Sequence, residues 1–367
     1  MSNLKVIISG GGTGGHIFPA LSIAGEIRRR FPESEILFIG AAGKMEMEKV
    51  PAAGFRIVGL PVIGFPRKPG IISLKFFIRL FQSMVKARRI IHEFKPDLAI
   101  GVGGYASGPV LRAAVTRKIP ALIQEQNSFA GITNKLLGKK VQKICVAYEG
   151  MDRFFPKEKI LLTGNPIRQN LLNITATKEE ALLHFNLPSN SRVVLITGGS
   201  LGARSINNAV LNNLEQIRNS GIHHIWQTGS IYYEEMVAKT SKNLPGNIQI
   251  HKFLNNMELA YTAADVVISR AGAGTISELC LVGKPTILVP SPNVAEDHQT
   301  RNAMALVGKE AAILVKDRMI EQELFRKTFA LVTDRIMMAK LGENIKKLAL
   351  PGATSHIVDE ALRILNR

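Results

Sequence analysis

The chain has 367 residues, enough for two domains that each bury a core, and 46% hydrophobic content with 32 glycines fits an α/β protein. Its formal charge of +18 asks for an acidic partner. One Trp, five Tyr and no basic stripe interleaved with aromatics argue against nucleic acid and leave an anionic membrane surface.

No apolar run approaches the ~20 residues of a spanning helix, and no secretory leader is expected at the N-terminus. Cys145 and Cys280 lie in apolar surroundings without metal-ligand spacing and read as reduced thiols of a cytosolic protein. The first strand signal, Val6-Ile7-Ile8, runs into Gly10-Gly11-Gly12-Thr13-Gly14-Gly15-His16, and an apolar-periodic helix follows from Ile17 to Ile27. Glycines in a strand-to-helix turn let an anion or a sugar lie against the main chain, facing the helix's unpaired N–H groups. A Walker loop would need lysine where His16 stands. Gly10-x-Gly12-x-x-Gly15 satisfies the dinucleotide spacing, but the next strand, Ile36–Ile39, ends in Gly40-Ala41-Ala42 rather than in a ribose-binding acid. The third user of such a turn is a glycosyltransferase built from two Rossmann-like halves.

Further strands are expected at Arg56–Leu60, Leu98–Val102, Ala121–Gln124 and Lys143–Val146, with helices between several of them, which is the doubly wound pattern. Pro61 to Lys95 departs from it. Val62, Ile63, Phe65, Ile71 and Ile72 sit in a Gly- and Pro-rich loop. In the helix that follows, Lys75, Arg79, Gln82, Lys86 and Arg89 oppose Leu74, Phe77, Ile78, Phe81 and Val85. That composition suits either a helix packed on the sheet or one lying in a membrane interface, and the apolar loop favours contact with anionic lipids through Ile71–Arg89. A second glycine turn, Gly101-Val102-Gly103-Gly104-Tyr105, should share a crevice with the first; Gly11, Gly12, Gly103, Gly104 and Tyr105 together suit a diphosphate. Gln124-Glu125-Gln126-Asn127 offers neutral hydrogen-bonding groups for a sugar, with a helix cap as the other reading of Asn127.

The turn-rich stretch Thr163-Gly164-Asn165-Pro166 marks a domain boundary: residues 1–164 form one domain and 165–352 another, with the last helix, 353–367, packing back on the first. Arg168 stands just past the joint. Val193–Thr197 leads into Gly198-Gly199-Ser200-Leu201-Gly202-Ala203, where Ser200 is expected at a helix N-terminus as a phosphate ligand or a plain cap. Strands follow near Ile222–Gln227, Ile248–Phe253, Val266–Ser269 and Pro285–Val289. Ser269-Arg270-Ala271-Gly272-Ala273-Gly274-Thr275-Ile276-Ser277-Glu278 reads as strand end, turn and helix start, with Glu278 in the first turn, placed to accept both ribose hydroxyls or to complement the helix dipole. Glu296-Asp297-His298-Gln299 opens another helix whose polar head faces either a hexose or solvent. No Asp-x-Asp pair exists, so no metal site of that type and no cofactor is expected.

Seven segments together resemble the MurG family across essentially the whole chain: Gly10–Ala24, Gly101–Pro109, Gln124–Lys135, Thr163–Arg168, Gly198–Arg204, Ser269–Leu279 and Asp297–Ala303. The resemblance implies an inverting glycosyltransferase of the GT-B fold, two Rossmann-like doubly wound domains with a cleft between them. It would be bound peripherally to the cytoplasmic face of the bacterial inner membrane. The implied reaction moves N-acetylglucosamine from UDP-GlcNAc to the muramyl 4-hydroxyl of undecaprenyl-diphospho-N-acetylmuramoyl-pentapeptide (lipid I). The alternative is a GT-B transferase with a different lipid acceptor. The resemblance places Thr13, Gly14, Gly15 and Asn127 at the donor sugar, Arg168 and Ser200 at the diphosphate, and the Leu254 backbone at uracil. It puts Glu278 at the ribose and Gln299 at the sugar hydroxyls, with Ala273, Gly274, Thr275, Ile276 and Ser277 lining the nucleotide. His16, at a helix N-terminus that disfavours the imidazolium, is the expected general base. One departure is Gln124, where many members have histidine.

Overall fold

The computed structural model describes residues 4–64, 74–294 and 297–365. The chain forms two compact units, Met1–Ile167 with Leu350–Arg367, and Arg168–Ala349. The first holds β1 (Lys5–Ser9), β2 (Glu35–Ala41), β3 (Arg56–Leu60), β4 (Leu98–Gly101), β5 (Ala121–Glu125), β6 (Lys143–Val146) and β7 (Ile160–Leu162). They form one parallel sheet in the order β3-β2-β1-β4-β5-β6-β7. The second holds β8 (Val193–Thr197), β9 (His223–Gln227), β10 (Ile248–His251), β11 (Val266–Ser269), β12 (Thr286–Leu288) and β13 (Ile313–Leu314), again parallel, in the order β10-β9-β8-β11-β12-β13. Both are Rossmann-like sheets whose order reverses beside the first strand, at β1/β4 and at β8/β11.

Their unbroken apolar runs follow from burial on two faces. Val6 and Ile8 of β1 pack with Ile17, Ala20 and Ile23 of the helix Gly14–Arg30 and with Ile357 and Val358 of the helix Ala353–Leu365. Ile7, one residue out of phase, packs on the other face with Ala87, Ile91 and Val110. In the second unit Val194, Ile196, Trp226, Ile268 and Ile287 share one core. The sequence pattern missed β7 and β13, short edge strands of three and two residues with incomplete burial and hence little periodicity. Cys145 and Cys280 are buried free thiols, and burial pushes each up to about 12. Among the described residues no helix is long and apolar enough to cross a membrane.

The helix Ala353–Leu365 is tied to Gly14–Arg30 by a small ionic cluster. Glu26, buried, accepts from Arg29 Nε at 2.8 Å and Arg30 Nε at 2.7 Å; Arg30 also pairs with Asp359, and Ser355 Oγ lies 3.3 Å from Glu26. The Arg29 hydrogen bond, opposed by burial and helped by Arg30, lowers the Glu26 carboxyl from 4.5 to about 2. A depressed carboxylate contributes stability above its unfolded pKa and loses it as pH falls through the folded one. Glu26→Gln should therefore cost about 1–3 kcal/mol at pH 7. In urea melts the deficit relative to wild type should shrink steadily between pH 5 and pH 2; a deficit independent of pH would remove the charge from the account.

Candidate active site

In the first unit the helix Gly14–Arg30 begins three residues before its apolar periodicity does, with Thr13 as its extended N-cap, so His16 lies in the first turn. Its ring sits against the second glycine turn. A Cβ at Gly103, where φ is +90°, would stand 2.8 Å from His16 Cε1 and 2.9 Å from Nδ1. A Cβ at Gly104 would stand 2.3 Å from the Gly11 carbonyl oxygen, so the two turns meet backbone to backbone. Ser107 Oγ, buried, lies 2.8 Å from the carbonyls of both Ser9 and Gly103 and shares its proton between them. His16 Nδ1 lies 3.0 Å from Gln126 Oε1. Tyr105 is 49% exposed, and Thr13 and Gly15 are also exposed.

Two buried carboxylates that the sequence pattern did not single out hold these loops. Glu46, fully buried, accepts from the backbone N–H of Gly12 at 3.0 Å and of Ala41 at 2.9 Å, and occupies the space a Gly11 side chain would need. The Gly12 N–H is thus spent inside the protein, which corrects the expectation that Gly12 offers its donor to a diphosphate. The available signal was helical spacing: Glu46 and Val50, four apart, are the buried pair of the helix Glu46–Ala52. Glu125 accepts from the N–H groups of Asn127 and Gly131, both at 3.0 Å, and from Asn134 Nδ2 at 2.8 Å.

The Gln124–Asn127 segment also differs from expectation. β5 runs on to Glu125, so Gln124, Glu125 and Gln126 are buried and bonded within the protein, and only Asn127 reaches partial exposure. Asn127 is not a helix cap, since the next helix, Ile132–Gly138, starts from Gly131. Asn165, in the turn-rich stretch, is buried too: its Nδ2 donates to the Gln126 carbonyl at 3.1 Å and its Oδ1 accepts from Gln124 Nε2 at 2.9 Å.

In the second unit Arg168 and Glu278 meet as a bidentate pair, Nε–Oε1 2.7 Å and Nη2–Oε2 2.8 Å, with the Tyr261 hydroxyl 3.3 Å from Oε2. Burial lowers the Arg168 pKa, but the Glu278 hydrogen bond and charge outweigh it and the net shift is upward. Burial, then the Glu278 charge, pushes the Tyr261 phenol well above 10. The helix carrying Glu278 spans Ala273–Val282 with Gly272 as N-cap, so Glu278 lies in its second turn, not its first; Thr275 is inside the first turn. The small residues Gly272 and Ala273 already adopt the N-cap and first helical positions, which moves the start back. Ser200 is exposed in the turn after β8, four residues before the helix Arg204–Asn212, whose N-cap is Ala203; it is not at that helix's N-terminus.

The Leu254 N–H donates to Gln227 Oε1 at 2.9 Å, and Gln227 Nε2 in turn donates to Thr197 Oγ1 at 3.0 Å. The Leu254 amide is therefore already engaged within the protein. Gln299, in the helix His298–Val307, accepts from the Ser291 N–H at 2.9 Å through Oε1, which leaves its Nε2 side to donate. Ile276 is buried, Ser277 Oγ donates back to the Ala273 carbonyl at 3.1 Å, and Gly274 stands beside them.

Phe65, Ile71 and Ile72 lie outside the described residues. The helix Leu74–Phe94 packs on the sheet through Ser83, Ala87, Ile90 and Ile91, a different stripe from the expected apolar face. Phe77, Ile78, Phe81 and Val85 project into solvent, Phe81 at 70% exposure, beside the exposed Arg79, Lys86 and Arg89.

The glycosyltransferase family 28 N-terminal domain matches residues 6–146 and the family 28 C-terminal domain matches residues 193–352. A UDP-N-acetylglucosamine–N-acetylmuramyl-(pentapeptide) pyrophosphoryl-undecaprenol N-acetylglucosamine transferase from Parabacteroides distasonis is 53% identical, with all of both chains covered. The enzyme of the same name from Phocaeicola vulgatus is 54% identical over all of this chain and 97% of its own. Among solved structures, Acinetobacter baumannii MurG superposes with a TM-score of 0.80 at 29% identity, covering 98% of this chain and 99% of that one. The chain belongs to glycosyltransferase family 28 and, within it, to the MurG family.

Proposed function

We propose that the chain transfers N-acetylglucosamine from UDP-GlcNAc to the 4-hydroxyl of the muramyl residue in undecaprenyl-diphospho-N-acetylmuramoyl-pentapeptide. The observation that carries this reading is identity above one half, from end to end, with relatives named for that reaction. The first unit takes the lipid-linked acceptor and the second takes the nucleotide sugar. The 4-hydroxyl oxygen attacks the anomeric carbon, its proton passes to His16, and the bond from that carbon to the diphosphate breaks with the electron pair leaving on UDP. The Gly103–Tyr105 turn faces the acceptor's diphosphate.

In the second unit UDP meets an internal ion pair. The ribose hydroxyls turn to the Glu278 carboxylate, the diphosphate to Arg168 and Ser200, and uracil to the Leu254 carbonyl. Gln299 donates to the sugar. The exposed apolar residues of the helix Leu74–Phe94, ringed by Arg79, Lys86 and Arg89, rest on an anionic membrane surface, where the acceptor's lipid tail resides. The helix Ile132–Gly138 supports this reading with two more exposed apolar residues, Ile132 and Leu136. The protein then works peripherally at the cytoplasmic leaflet.

His16→Ala should lower kcat about 100-fold or more with a muramyl lipid acceptor; a loss confined to KM would make His16 an orienting group instead. Glu278→Ala should weaken UDP and UDP-GlcNAc by the same factor, about 10- to 100-fold in calorimetric Kd, because the lost contact is with the shared ribose. An unchanged UDP Kd would remove Glu278 from the nucleotide site. UDP release from UDP-GlcNAc with some other lipid, and none with the muramyl lipid, would overturn the acceptor assignment. On phosphatidylglycerol-containing vesicles, Phe77→Glu with Phe81→Glu should move the protein from the pellet to the supernatant while transfer to a short-chain soluble acceptor stays within two-fold. Equal sedimentation of both forms would contradict the membrane assignment.

A further inference from the structure

Behind His16 stands a chain of three buried side-chain amides, each of whose orientation is fixed by the next. Asn165 Nδ2 faces the Gln126 carbonyl, an acceptor, at 3.1 Å, so Asn165 Oδ1 faces Gln124 Nε2 at 2.9 Å. Gln124 Oε1 is thereby turned to Gln126 Nε2, which also donates to the Val102 carbonyl at 2.8 Å. Flipping the Gln126 amide would set its oxygen against the Val102 carbonyl and the Gln124 side-chain oxygen, three acceptors with no proton among them. Gln126 Oε1 therefore faces His16 Nδ1, 3.0 Å away, and at that distance an amide oxygen can only accept. The ring cannot slide off this contact toward the glycine turn, because it already fills the space beside Gly103.

We infer that Gln126 is a positioning residue that holds His16 as the neutral Nδ1–H tautomer and so puts the ring's lone pair on Nε2, the nitrogen that takes the acceptor hydroxyl's proton. The inference rests on His16 being the general base. The step balances simply: the O–H bond of the 4-hydroxyl breaks, an Nε2–H bond forms, and Nδ1 keeps its proton on Gln126 throughout. Gln124 and Asn165 serve by fixing which end of the Gln126 amide points at the ring. Gln124 thus has a task of its own in the buried chain behind the ring.

The test uses the full chain labelled with 15N-histidine, with the His16 signals assigned by their loss in His16→Ala. Long-range proton–nitrogen correlations in the wild type should show Nδ1 protonated and Nε2 unprotonated at pH 8. Gln126→Met, which keeps the length and removes the oxygen, should shift His16 toward the Nε2–H form. It should also lower kcat about 30- to 100-fold with KM for UDP-GlcNAc within three-fold. A wild-type His16 protonated on Nε2 overturns the inference whatever the variants do, so it stays falsifiable even if Gln126→Met folds poorly. A folded Gln126→Met with kcat within two-fold of wild type overturns it as well. If His16→Ala itself keeps wild-type kcat, the failure belongs to the base assignment and not to the tautomer.

Discussion

The contact on which the first unit turns is the approach of Gly104 to Gly11, so close that a methyl group at Gly104 would lie 2.3 Å from the Gly11 carbonyl oxygen. β1 and β4 are neighbours in the sheet, with Ser9 opposite Gly101, so the loops leaving them must pass side by side at the switch point. Without side chains the two main chains close that gap themselves, Ser107 stitches them, and the His16 ring is left the space over Gly103. The second unit starts from the same strand-glycine-helix sequence and spends it differently. A Cβ at Gly202 would lie 2.0 Å from the Thr228 carbonyl oxygen, so the turn after β8 leans toward β9 and away from β11. One glycine turn fills its switch point and the other leans clear of it, a difference that fits the separate tasks proposed for the two units.

Buried charge in both units is matched by donors. Glu46 and Glu125 bring carboxylates to the loops, and each is met by N–H groups, several of them main-chain. Leaving such a donor unmet in the interior would cost about 1–3 kcal/mol, so the carboxylates fix loop shape by satisfying groups that must be satisfied anyway. Arg270 does the same work with the opposite sign. Its guanidinium bonds the Val289 carbonyl at 3.0 Å, Asp317 at 2.6 Å and Ser205 Oγ at 2.8 Å, drawing the ends of β11 and β12 toward the helix Arg204–Asn212. The Arg168–Glu278 pair differs in that Arg168 is the more exposed partner, its side chain 41% exposed against 13% for Arg270.

Periodicity made the central strands legible. β6, β8 and β11 have the bounds their residues suggested, since apolar runs buried on both faces stop where the faces stop, and the partly buried edge strand β3 keeps its expected bounds as well. The glycine turns and the small-residue turn at Ala271–Gly274 were legible for a different reason: few other jobs require that composition. What stayed hidden was partnership. Nothing in the sequence says that Glu46 rather than Glu48 points inward beyond its spacing to Val50, that the Leu254 amide is already taken by Gln227, or that Arg168 and Glu278, 110 positions apart, face each other. The exposed face of the helix Leu74–Phe94 was half legible. Its amphipathic pattern was plain, but only packing shows that the sheet takes Ser83, Ala87, Ile90 and Ile91 and leaves Phe77 and Phe81 outside.

If His16 is the base proposed above, the choice of an amide rather than a carboxylate behind it follows from what a base for an inverting transfer must do. A carboxylate on Nδ1 would fix the same tautomer, but it would also place a full negative charge beside the ring and favour the imidazolium before any hydroxyl arrives. A neutral amide oxygen orients without adding that charge. The cost is that an amide can point either way, and at one bond from the ring a reversed Gln126 would present two donors and select the wrong tautomer. The relay through Gln124 and Asn165 removes that ambiguity by ending on a main-chain carbonyl, a group that can only accept. The direction of a single backbone carbonyl, passed through three side chains, thus decides which nitrogen of His16 carries the lone pair.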